Sequence, residues 1–288
     1  MEETAPSLSW LLQDAARQLR AALDLENREA RLEARLLAGL ALGQGSAWLI
    51  AHEREPVSPQ ASAGFAALLG RRLAGEPIAY LRGEKEFFGR SFVVNRAVLV
   101  PRPETELLVE TALATLPAGQ VARVLDLGTG SGAIAVTLAL ECPEWEVYAT
   151  DLSPTALEVA QHNARRLGAD RVRFAHGAWW KAVEDVKFFD MVLSNPPYVA
   201  EGDPHLGALA FEPSGALVAP DEGRADLASI IRGAPLRLAN GGWLWLEHGC
   251  GQGAWCRQEL LAAGLGNVQT KLDYAGLERV SGGQKVSK

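Results

Sequence analysis

The strongest constraint on the fold is the run VARVLDLGTGSGA at residues 121–133. Its first seven residues are mostly apolar and predict a buried strand. Glycines follow at alternate positions, Gly128, Gly130 and Gly132, and a glycine backbone can turn sharply and approach a ligand where a Cβ would clash. The next residues, 133–141, predict a helix. A strand, a glycine loop and a helix in this order are typical of a parallel sheet that binds a nucleotide-like ligand at its edge.

The same alternation continues to the end of the chain. Strands are predicted at residues 121–127, 145–151, 171–175, 188–194, 241–249, 267–273 and 277–281. Helices are predicted at residues 133–141, 154–167 and 254–263, the second of them capped by Ser153. Because strands that alternate with helices indicate βαβ units, the predicted fold class is α/β, with a doubly wound, mostly parallel sheet.

Two regions precede this sheet. Residues 1–75 predict only helices, since leucines recur there at helical spacing, and several short helices with one apolar face each indicate a small bundle. Residues 76–100 change character. Strand-like runs at Ile78–Leu81 and Phe92–Val94 predict a β-hairpin linker. The expected organisation is therefore a helical bundle, a hairpin linker and a larger α/β domain at residues 101–288.

Charge and cysteine content argue against several classes of protein. The formal net charge is −7, whereas proteins that hold DNA or RNA by phosphate contacts are usually basic, so no direct nucleic-acid partner is expected. The cysteines, Cys142, Cys250 and Cys256, lack paired spacing, and this predicts reduced thiols and no metal site. Neither a signal-peptide pattern nor a run long enough to cross a membrane is present. The protein is expected in the cytoplasm, without membrane contact.

Two acidic residues narrow the ligand of the glycine loop. Asp151 ends the second strand, where an acid in nucleotide-binding sheets accepts hydrogen bonds from ribose hydroxyls. The loop also satisfies the dinucleotide pattern G-x-G-x-x-G/A, but Asp126, expected at the mouth of the loop, would repel a pyrophosphate. The same carboxylate would favour the ammonium group of S-adenosylmethionine, which carries no phosphate. A methyl donor is therefore preferred to a nicotinamide cofactor.

The second informative run is SNPPY, residues 194–198, at the end of the fourth strand. Proline has no N–H and cannot continue a sheet ladder, so the chain leaves the sheet here as a stiff loop. Ligands of a doubly wound sheet bind at the carboxyl ends of its strands, and the first and fourth strands are expected to be neighbours. The SNPPY loop and the glycine loop should therefore face one crevice.

The residues of this second loop suit an acceptor with a planar NH₂ group. The Asn195 side-chain oxygen and the Pro196 carbonyl are acceptors, and each can take one N–H of such a group. Two hydrogen bonds of this kind increase the electron density of the nitrogen and direct its lone pair at a methyl carbon. Tyr198 supplies a flat wall and a π face near the cation. Glutamine amides, adenine N6 and guanine N2 all fit, so SNPPY by itself leaves the acceptor open.

Together with other runs, these motifs resemble one family nearly end to end: the N5-glutamine methyltransferases of peptide chain release factors, of the PrmC/HemK type. The shared runs are, in chain order, GEPIAYLRGEKEFFG, LVPRPETELLVE, VLDLGTGSGAIAV, SNPPYV, DPHL, FEPSGAL, WLEHG and DYAGLERV. The resemblance implies a class I methyltransferase with a seven-stranded sheet. Its expected activity is transfer of a methyl group from S-adenosylmethionine to the glutamine of the Gly-Gly-Gln motif of class 1 release factors. An adenine-N6 or guanine-N2 methyltransferase of nucleic acid is the alternative.

The resemblance also implies the site residues and a role for the bundle at residues 1–75, which would help to engage the protein partner. The methionine part of the cofactor would lie against the glycine loop, that is Gly128, Thr129, Gly130, Ser131 and Gly132. Asp151 would hold the ribose. The acceptor glutamine would be bound by Asn195, Pro196, Pro197 and Tyr198. Of these, Asn195, Pro196 and Tyr198 are expected to be catalytic, and Asn195 to contact the cofactor as well.

The adenine end of the cofactor is less closely determined. Trp179 is the expected aromatic neighbour of the adenine, with the adjacent Trp180 as the alternative. Many related methyltransferases have an acid immediately before this aromatic residue, where this chain has Ala178. That departure leaves a main-chain group as the expected contact of the adenine amine.

Three further runs keep two interpretations each. The run PRPETE (101–106) is expected over the methionine end of the cofactor, and Arg102 and Glu106 either act there or form a solvated ion pair. The run FEP (211–213) either closes the pocket or is an ordinary turn. The tail contains the substrate's own tripeptide at 282–284, for which coincidence is preferred to binding of the tail in the site.

Overall fold

The computed structural model describes residues 6–117 and 119–286 of the chain. They form two compact units, one ending at Gly83 and one beginning at Glu84. Over these described ranges, no helix is long and apolar enough to cross a membrane. The same ranges contain no group of three or more His, Cys, Asp or Glu side chains that could hold a metal ion.

The first unit is a bundle of helices, as the leucine spacing predicts. Its helices are α1 (Leu8–Leu23), α2 (Asn27–Leu42), α3 (Ser46–Ala51), α4 (Pro59–Leu73) and α5 (Ile78–Arg82). Ser7 and Ser58 cap α1 and α4, because each side chain accepts a hydrogen bond from a first-turn N–H. The apolar faces of the helices form one buried core, which includes Leu12, Leu19, Leu37 and Phe65.

One predicted strand is wrong. Residues Ile78–Leu81 lie in helix α5 and not in a hairpin. Pro77, just before this helix, has φ −57°, close to the helical value, and Gly83 ends the helix in the left-handed region with φ 75°. A run of four apolar residues is too short for its periodicity to separate a strand from one helical turn.

The hairpin begins further along the chain, at the start of the second unit. Its strands β1 (Glu84–Phe87) and β2 (Arg90–Val93) pair antiparallel, so the predicted run at Phe92–Val94 overlaps β2. The two residues between them, Phe88 and Gly89, both have positive φ, 50° and 70°. Two-residue hairpin turns of this kind match the right-handed twist of the strands.

The rest of the second unit is the α/β domain, and all seven predicted strands are present in it. The strands are β3 (Arg123–Leu127), β4 (Glu146–Asp151), β5 (Arg173–His176), β6 (Phe189–Ser194), β7 (Leu238–Glu247), β8 (Gly266–Leu272) and β9 (Glu278–Gln284). The helices are α6 (Glu106–Thr115), α7 (Ala133–Glu141), α8 (Pro154–Leu167), α9 (Pro220–Gly223), α10 (Ala225–Arg237) and α11 (Gly253–Ala262). Sequence reasoning did not predict α10, a helix that contributes to the site described below.

The sheet has the predicted doubly wound, mostly parallel topology. Its strand order is β5-β4-β3-β6-β7-β9-β8, with the first five strands parallel and β9 antiparallel to both of its neighbours. The strand order reverses between β3 and β6, and ligands of such sheets bind at the carboxyl ends of the strands on either side of that point. Leu127 pairs with Ser194, so the glycine and SNPPY loops leave adjacent strands side by side.

Both faces of the sheet are buried. Val124 of β3 and Met191 of β6 belong to one apolar cluster, whereas the next residues along the two strands, Leu125 and Val192, belong to another. The first cluster includes residues of α6, α7 and α8, and the second includes residues of α10 and α11. This burial on two faces explains why the strands read as continuous apolar runs.

The tail tripeptide Gly282-Gly283-Gln284 lies within β9, between β7 and β8. A Cβ at Gly282 would overlap the ring of Trp245, so a glycine here lets the strand pass close to a buried tryptophan. The tripeptide is thus an integral part of the central sheet. This placement favours coincidence over binding of the tail in the site.

Candidate active site

A cavity of about 450 Å³ lies at the carboxyl edge of the sheet, where β3, β4 and β6 end. Its lining includes residues 128–131 of the glycine loop, Asp151, Trp179, Asn195 and Pro197, whereas Gly132 lies outside the lining. Sequence reasoning placed all of these lining residues in the site, and the structure brings them together around one space. The lining also includes Thr105 and Asp226, which sequence reasoning did not single out.

Main-chain hydrogen bonds hold the glycine loop against the end of β4. The N–H groups of Gly128 and Thr129 both donate to the Thr150 carbonyl, at 2.9 and 2.8 Å. The Gly130 N–H donates to Asp151 Oδ2 at 2.9 Å. Gly128, Gly130 and Gly132 have φ of 76°, 56° and 83°, a region that residues with a Cβ rarely adopt. The alternate glycines are therefore required by the course of the backbone itself.

Two of these glycines also allow close packing. A Cβ at Gly128 would lie 3.4 Å from the Trp179 ring, and one at Gly132 would lie 3.2 Å from the Ala160 Cβ. Gly132 is the N-terminal cap of α7, so the loop leads directly into the helix. The result is a cradle of backbone beneath the cavity, closed on one side by an indole ring.

Asp151 lies where a ribose-binding acid is expected, at the end of β4 and in the cavity wall. Its Oδ2 accepts from the Gly130 N–H, and its Oδ1 accepts from the Ser153 N–H at 2.8 Å. Burial raises the pKa of this carboxyl, while the hydrogen bonds from Ser153 and Gly130 oppose the shift. Each carboxylate oxygen keeps lone-pair capacity for a ligand hydroxyl.

Asp126 does not lie at the mouth of the loop, as sequence reasoning expected. It is fully buried in β3, beneath the loop, and does not line the cavity. Its Oδ2 accepts from the Thr129 hydroxyl at 2.6 Å, and its Oδ1 has no hydrogen-bond partner in the described part of the chain. Burial raises the pKa of this carboxyl to about 7. Asp126 is therefore not placed to repel a pyrophosphate from the mouth of the loop.

The structure separates the two adjacent tryptophans. Trp179 lines the cavity with φ 44°, and its Nε1 donates to Asp226 Oδ1 at 3.1 Å. Trp180 instead points at α10, where its Nε1 donates to the Ser229 carbonyl at 3.3 Å and a Cβ at Gly233 would overlap its ring. Trp179 is therefore the aromatic residue that a ligand in the cavity meets.

Asp226 supplies an acidic side chain beside Trp179, in place of the acid that many related methyltransferases have at the position of Ala178. It lies in the first turn of α10 and lines the cavity beside Trp179. Burial raises the pKa of its carboxyl, and the hydrogen bond from Trp179 opposes that shift. Only Oδ1 is engaged by the indole, so Oδ2 can accept from a ligand. No pattern in the sequence pointed to Asp226, because it comes 47 residues after Trp179.

Asn195 leaves β6 with its amide oriented by a neighbour. The Nδ2 group donates to Thr105 Oγ1 at 3.1 Å, and Thr105 lies in the 3-10 turn before α6. Since the amide nitrogen is engaged, the side-chain oxygen remains as an acceptor at the cavity wall. One residue earlier, the Ser194 hydroxyl donates to the Leu127 carbonyl at 2.6 Å and ties the ends of β6 and β3 together.

The other SNPPY residues have different environments. Pro196 is buried and Pro197 lines the cavity. Tyr198 is outside the cavity lining, and its hydroxyl donates to Glu247 Oε1 at 3.1 Å. Burial raises the pKa of the Tyr198 hydroxyl well above its usual range, so it remains a donor at neutral pH. The loop thus presents one free side-chain acceptor to the cavity, the Asn195 oxygen. The hydrogen bond from Tyr198 to Glu247 holds the other end of the loop.

Arg102 and Glu106 do not form the ion pair that sequence reasoning allowed. Arg102 pairs with Glu212 at 2.5 Å, and Glu212 Oε2 also accepts from the Val100 N–H at 2.9 Å. Glu106 accepts from the Phe88 N–H at 2.8 Å. The FEP run is thereby bound to the PRPETE run. Pro213 and Arg102 both line the cavity, so these two runs form one wall of the site.

Comparison with known proteins agrees with this architecture. Residues 103–210 match the model of the methyltransferase small domain, and residues 11–83 match the PrmC N-terminal domain. A methyltransferase of Pyrococcus furiosus superposes over 77% of this chain and 100% of its own, with a TM-score of 0.54 and 22% identity. The fold and the glycine-loop cavity define a class I methyltransferase.

Two relatives then determine the family. The release factor glutamine methyltransferase of Bordetella pertussis is 54% identical over 88% of this chain and 94% of its own length. The enzyme of the same name from Escherichia coli K12 is 43% identical over 96% of this chain and 97% of its own length. The chain belongs to the release factor glutamine methyltransferase family, whose methyl donor is S-adenosylmethionine.

Proposed function

We propose that this protein transfers a methyl group from S-adenosylmethionine to the side-chain amide nitrogen of the glutamine in the Gly-Gly-Gln motif of class 1 release factors. One observation carries the proposal. Asn195 lines the same cavity as the glycine loop, and its Nδ2 is engaged by Thr105, so its oxygen is left as an acceptor. The family relationship favours a glutamine amide over a nucleobase amine. A release factor substrate would place the enzyme in the cytoplasm.

The cavity fits the cofactor. The backbone cradle at Gly128–Gly132 would hold the methionine part, and Asp151 would accept from the ribose hydroxyls, as in other nucleotide-binding sheets. Trp179 would stack on the adenine, and Asp226 Oδ2 would accept from the adenine amine. S-adenosylmethionine supplies, when bound, a sulfonium-activated methyl carbon to the site.

Residues 195–198 of the SNPPY loop, hereafter the acceptor loop, would bind and orient the glutamine amide. The Asn195 Oδ1 and the Pro196 carbonyl would each accept one N–H of the glutamine amide. Two such bonds raise the electron density of the amide nitrogen and fix its lone pair in one direction. Tyr198, whose hydroxyl is tied to Glu247, would form a flat wall for the planar amide. The loop therefore needs no strong base before attack, since the proton leaves after the methyl group has been transferred.

The N-terminal unit would engage the protein substrate. A groove of about 740 Å³ runs between α1 and α2, and its charged lining residues are four arginines and two acids: Arg17, Arg20, Arg31, Arg35, Asp24 and Glu53. Arg17 pairs with Asp14, and Arg35 pairs with Glu53 at 3.6 Å. A groove lined by arginines in a chain of net charge −7 suits an acidic segment of a protein partner.

Mass spectrometry of a purified release factor tests the proposal. After incubation with this protein and S-adenosylmethionine, the peptide that contains Gly-Gly-Gln should gain the mass of one methyl group on its glutamine. DNA and RNA oligonucleotides serve as competing acceptors in parallel reactions. Methylation of an oligonucleotide, with none on the release factor, would contradict the proposal and favour a nucleobase acceptor.

A further inference from the structure

A buried carboxylate lies behind the acceptor loop. Glu247, the last residue of β7, is 1% exposed and does not line the cavity. Ser194 pairs with Leu246, so Asn195 and Glu247 leave neighbouring parallel strands at the same level. A charged group is rarely buried in this way unless its partners require it. The hydrogen-bond partner of Glu247, Tyr198, belongs to the acceptor loop, and Thr105, which orients Asn195 of the same loop, lies near Glu247.

The first connection runs through Tyr198. Its hydroxyl donates to Glu247 Oε1 at 3.1 Å, and its main-chain carbonyl accepts from Gln252 Nε2 at 3.1 Å. A Cβ at Gly223 would overlap that carbonyl, so the backbone of α9 approaches the loop as closely as a glycine permits. The ring of Tyr198 is thus held at its hydroxyl and at its backbone.

The second connection runs through Thr105 and reaches Asn195. Because Thr105 Oγ1 accepts from Asn195 Nδ2, its own hydrogen is available to another acceptor. Thr105 is close enough to Glu247 to lower the pKa of that carboxyl, but the two groups do not reach hydrogen-bonding geometry. Glu247 Oε2 has no hydrogen-bond partner among residues 6–117 and 119–286, so this oxygen has the lone-pair capacity to accept the Thr105 hydrogen.

We propose that Glu247 is a positioning residue for methyl transfer, which holds the Tyr198 ring directly and the Asn195 amide through Thr105. It acts on the loop without touching the substrate. If Thr105 gave its hydrogen to Glu247, it could only accept from Asn195, and the Asn195 oxygen would then face the glutamine. This inference rests on the proposed function of the acceptor loop.

The charge state of Glu247 should then control the acceptor side of the site. Burial raises the pKa of the Glu247 carboxyl to about 7. Thr105, Tyr198 and Arg279 lower it, and the charge of Glu104 raises it. Above this pKa the carboxylate accepts charge-assisted hydrogen bonds, and below it the neutral acid accepts weaker ones. Acceptor positioning should therefore deteriorate as the pH falls through about 7.

The experiment compares Glu247→Gln with the wild type on a purified release factor at saturating S-adenosylmethionine. We expect kcat/KM above pH 7 to fall about ten- to a hundredfold, the value of a hydrogen bond to a charged group. The fall in wild-type activity between about pH 8 and pH 6 should disappear in the variant, since the group responsible is gone. The dissociation constant for S-adenosylhomocysteine should stay within about threefold, because the glycine loop is untouched.

Tyr198→Phe provides a second route should Glu247→Gln fold poorly in thermal melting. It keeps the ring and removes only the hydroxyl, and combining it with Glu247→Gln should cost less than the product of the two single losses. Glu278→Gln is the matched control. That carboxylate pairs with Arg257 at 2.7 Å, on the strand beside β7, and its loss should leave kcat and the pH profile unchanged.

Two results would overturn the inference. One is an unchanged kcat/KM in Glu247→Gln above pH 7, and the other is a pH dependence that persists in this variant, which would assign the titration to a group such as Asp126. A fluorescence titration of the release factor against the S-adenosylhomocysteine complex, from about pH 6 to pH 8, follows acceptor binding without chemistry. A wild-type enzyme that binds but never methylates the release factor would instead contradict the proposed function.

Discussion

The two loops that meet at the cavity are built on opposite principles. The glycine loop, 128–132, presents backbone, and glycines at positive φ give it its course. The acceptor loop, 195–198, is stiffened by two prolines and presents side chains whose other ends are tied to Thr105 and Glu247. The conformation of the glycine loop depends on the absence of side chains. The conformation of the acceptor loop depends on hydrogen bonds to residues far away in the sequence.

Because of this difference, substitutions in the two loops should have different effects. A Cβ in the glycine loop is a local steric problem, since it strains the backbone or meets the Trp179 ring. A change in the acceptor loop or behind it disturbs a hydrogen-bonded network, whose members do not act independently. Cofactor binding should therefore respond to changes in the first loop, and turnover to changes in the second.

The largest expected effect tests the acceptor loop. Asn195→Ala removes one of the two acceptors for the amide, and we expect kcat to fall about 10²- to 10³-fold, as when one preorganised hydrogen-bond partner of a transition state is deleted. Affinity for S-adenosylhomocysteine, measured by calorimetry, should fall far less than kcat, because the glycine loop, Asp151 and Trp179 are unchanged. A variant with near-normal turnover and lost cofactor binding would reverse the roles of the two loops.

A smaller effect is expected from the glycine loop. Gly128→Ala places a Cβ 3.4 Å from the Trp179 ring at φ 76°, and backbone strain of about 1–2 kcal/mol corresponds to a loss of cofactor affinity of about tenfold. At saturating S-adenosylmethionine, kcat should recover.

Gly264→Ala is the matched control for this substitution. Gly264 has φ 85° with open space around it, away from the cavity lining, so its replacement should cost stability and no cofactor affinity. Equal losses of affinity in both variants would show that global destabilisation, and not the cradle, is responsible.

The adenine end of the cofactor side offers a finer test. In Asp226→Asn the amide oxygen can still accept from Trp179, but an NH₂ group replaces the second acceptor. We expect affinity for S-adenosylhomocysteine to fall about fivefold, the value of one hydrogen bond. The inosine analogue of S-adenosylhomocysteine has an oxygen in place of the adenine amine. In Asp226→Asn, the affinity for this analogue should rise relative to the affinity for S-adenosylhomocysteine. Equal changes for both ligands would mean that Asp226 only supports Trp179.

The smallest effect should come from outside both loops. Arg20 and Arg31 are exposed on the groove of the N-terminal unit, and changing both to Glu should raise the KM for release factor about three- to tenfold, since exposed charge pairs are weak singly. Turnover at saturation and cofactor affinity should not change. A short Gly-Gly-Gln peptide as substrate is the control, because it lacks the acidic segment that the groove would bind, and both proteins should methylate it equally.

Sequence reasoning captured the features that are local along the chain. Patterns of a few residues predict residues 128–131, Asp151, Asn195 and Pro197 in the site, and all of these line one cavity. A strand at Ile78–Leu81 was wrongly predicted, because four apolar residues fit a helical turn equally well. The sequence predicts Asp126 at the loop mouth, but its burial in β3 depends on the tertiary packing around the sheet.

The sequence by itself determined the seven strands of the central sheet, the course of the glycine loop and the stiff exit at Asn195. These depend on backbone freedom and on the periodicity of apolar residues, and both are readable in short windows. The tertiary structure alone decided that Trp179 and not Trp180 faces the cavity, that Asp226 supplies an acid beside it, and that Glu247 stands behind the acceptor loop. The physical reason is separation: Asn195 meets Thr105 across 90 positions and Tyr198 meets Glu247 across 49, and such contacts exist only once the sheet has brought the strand ends together.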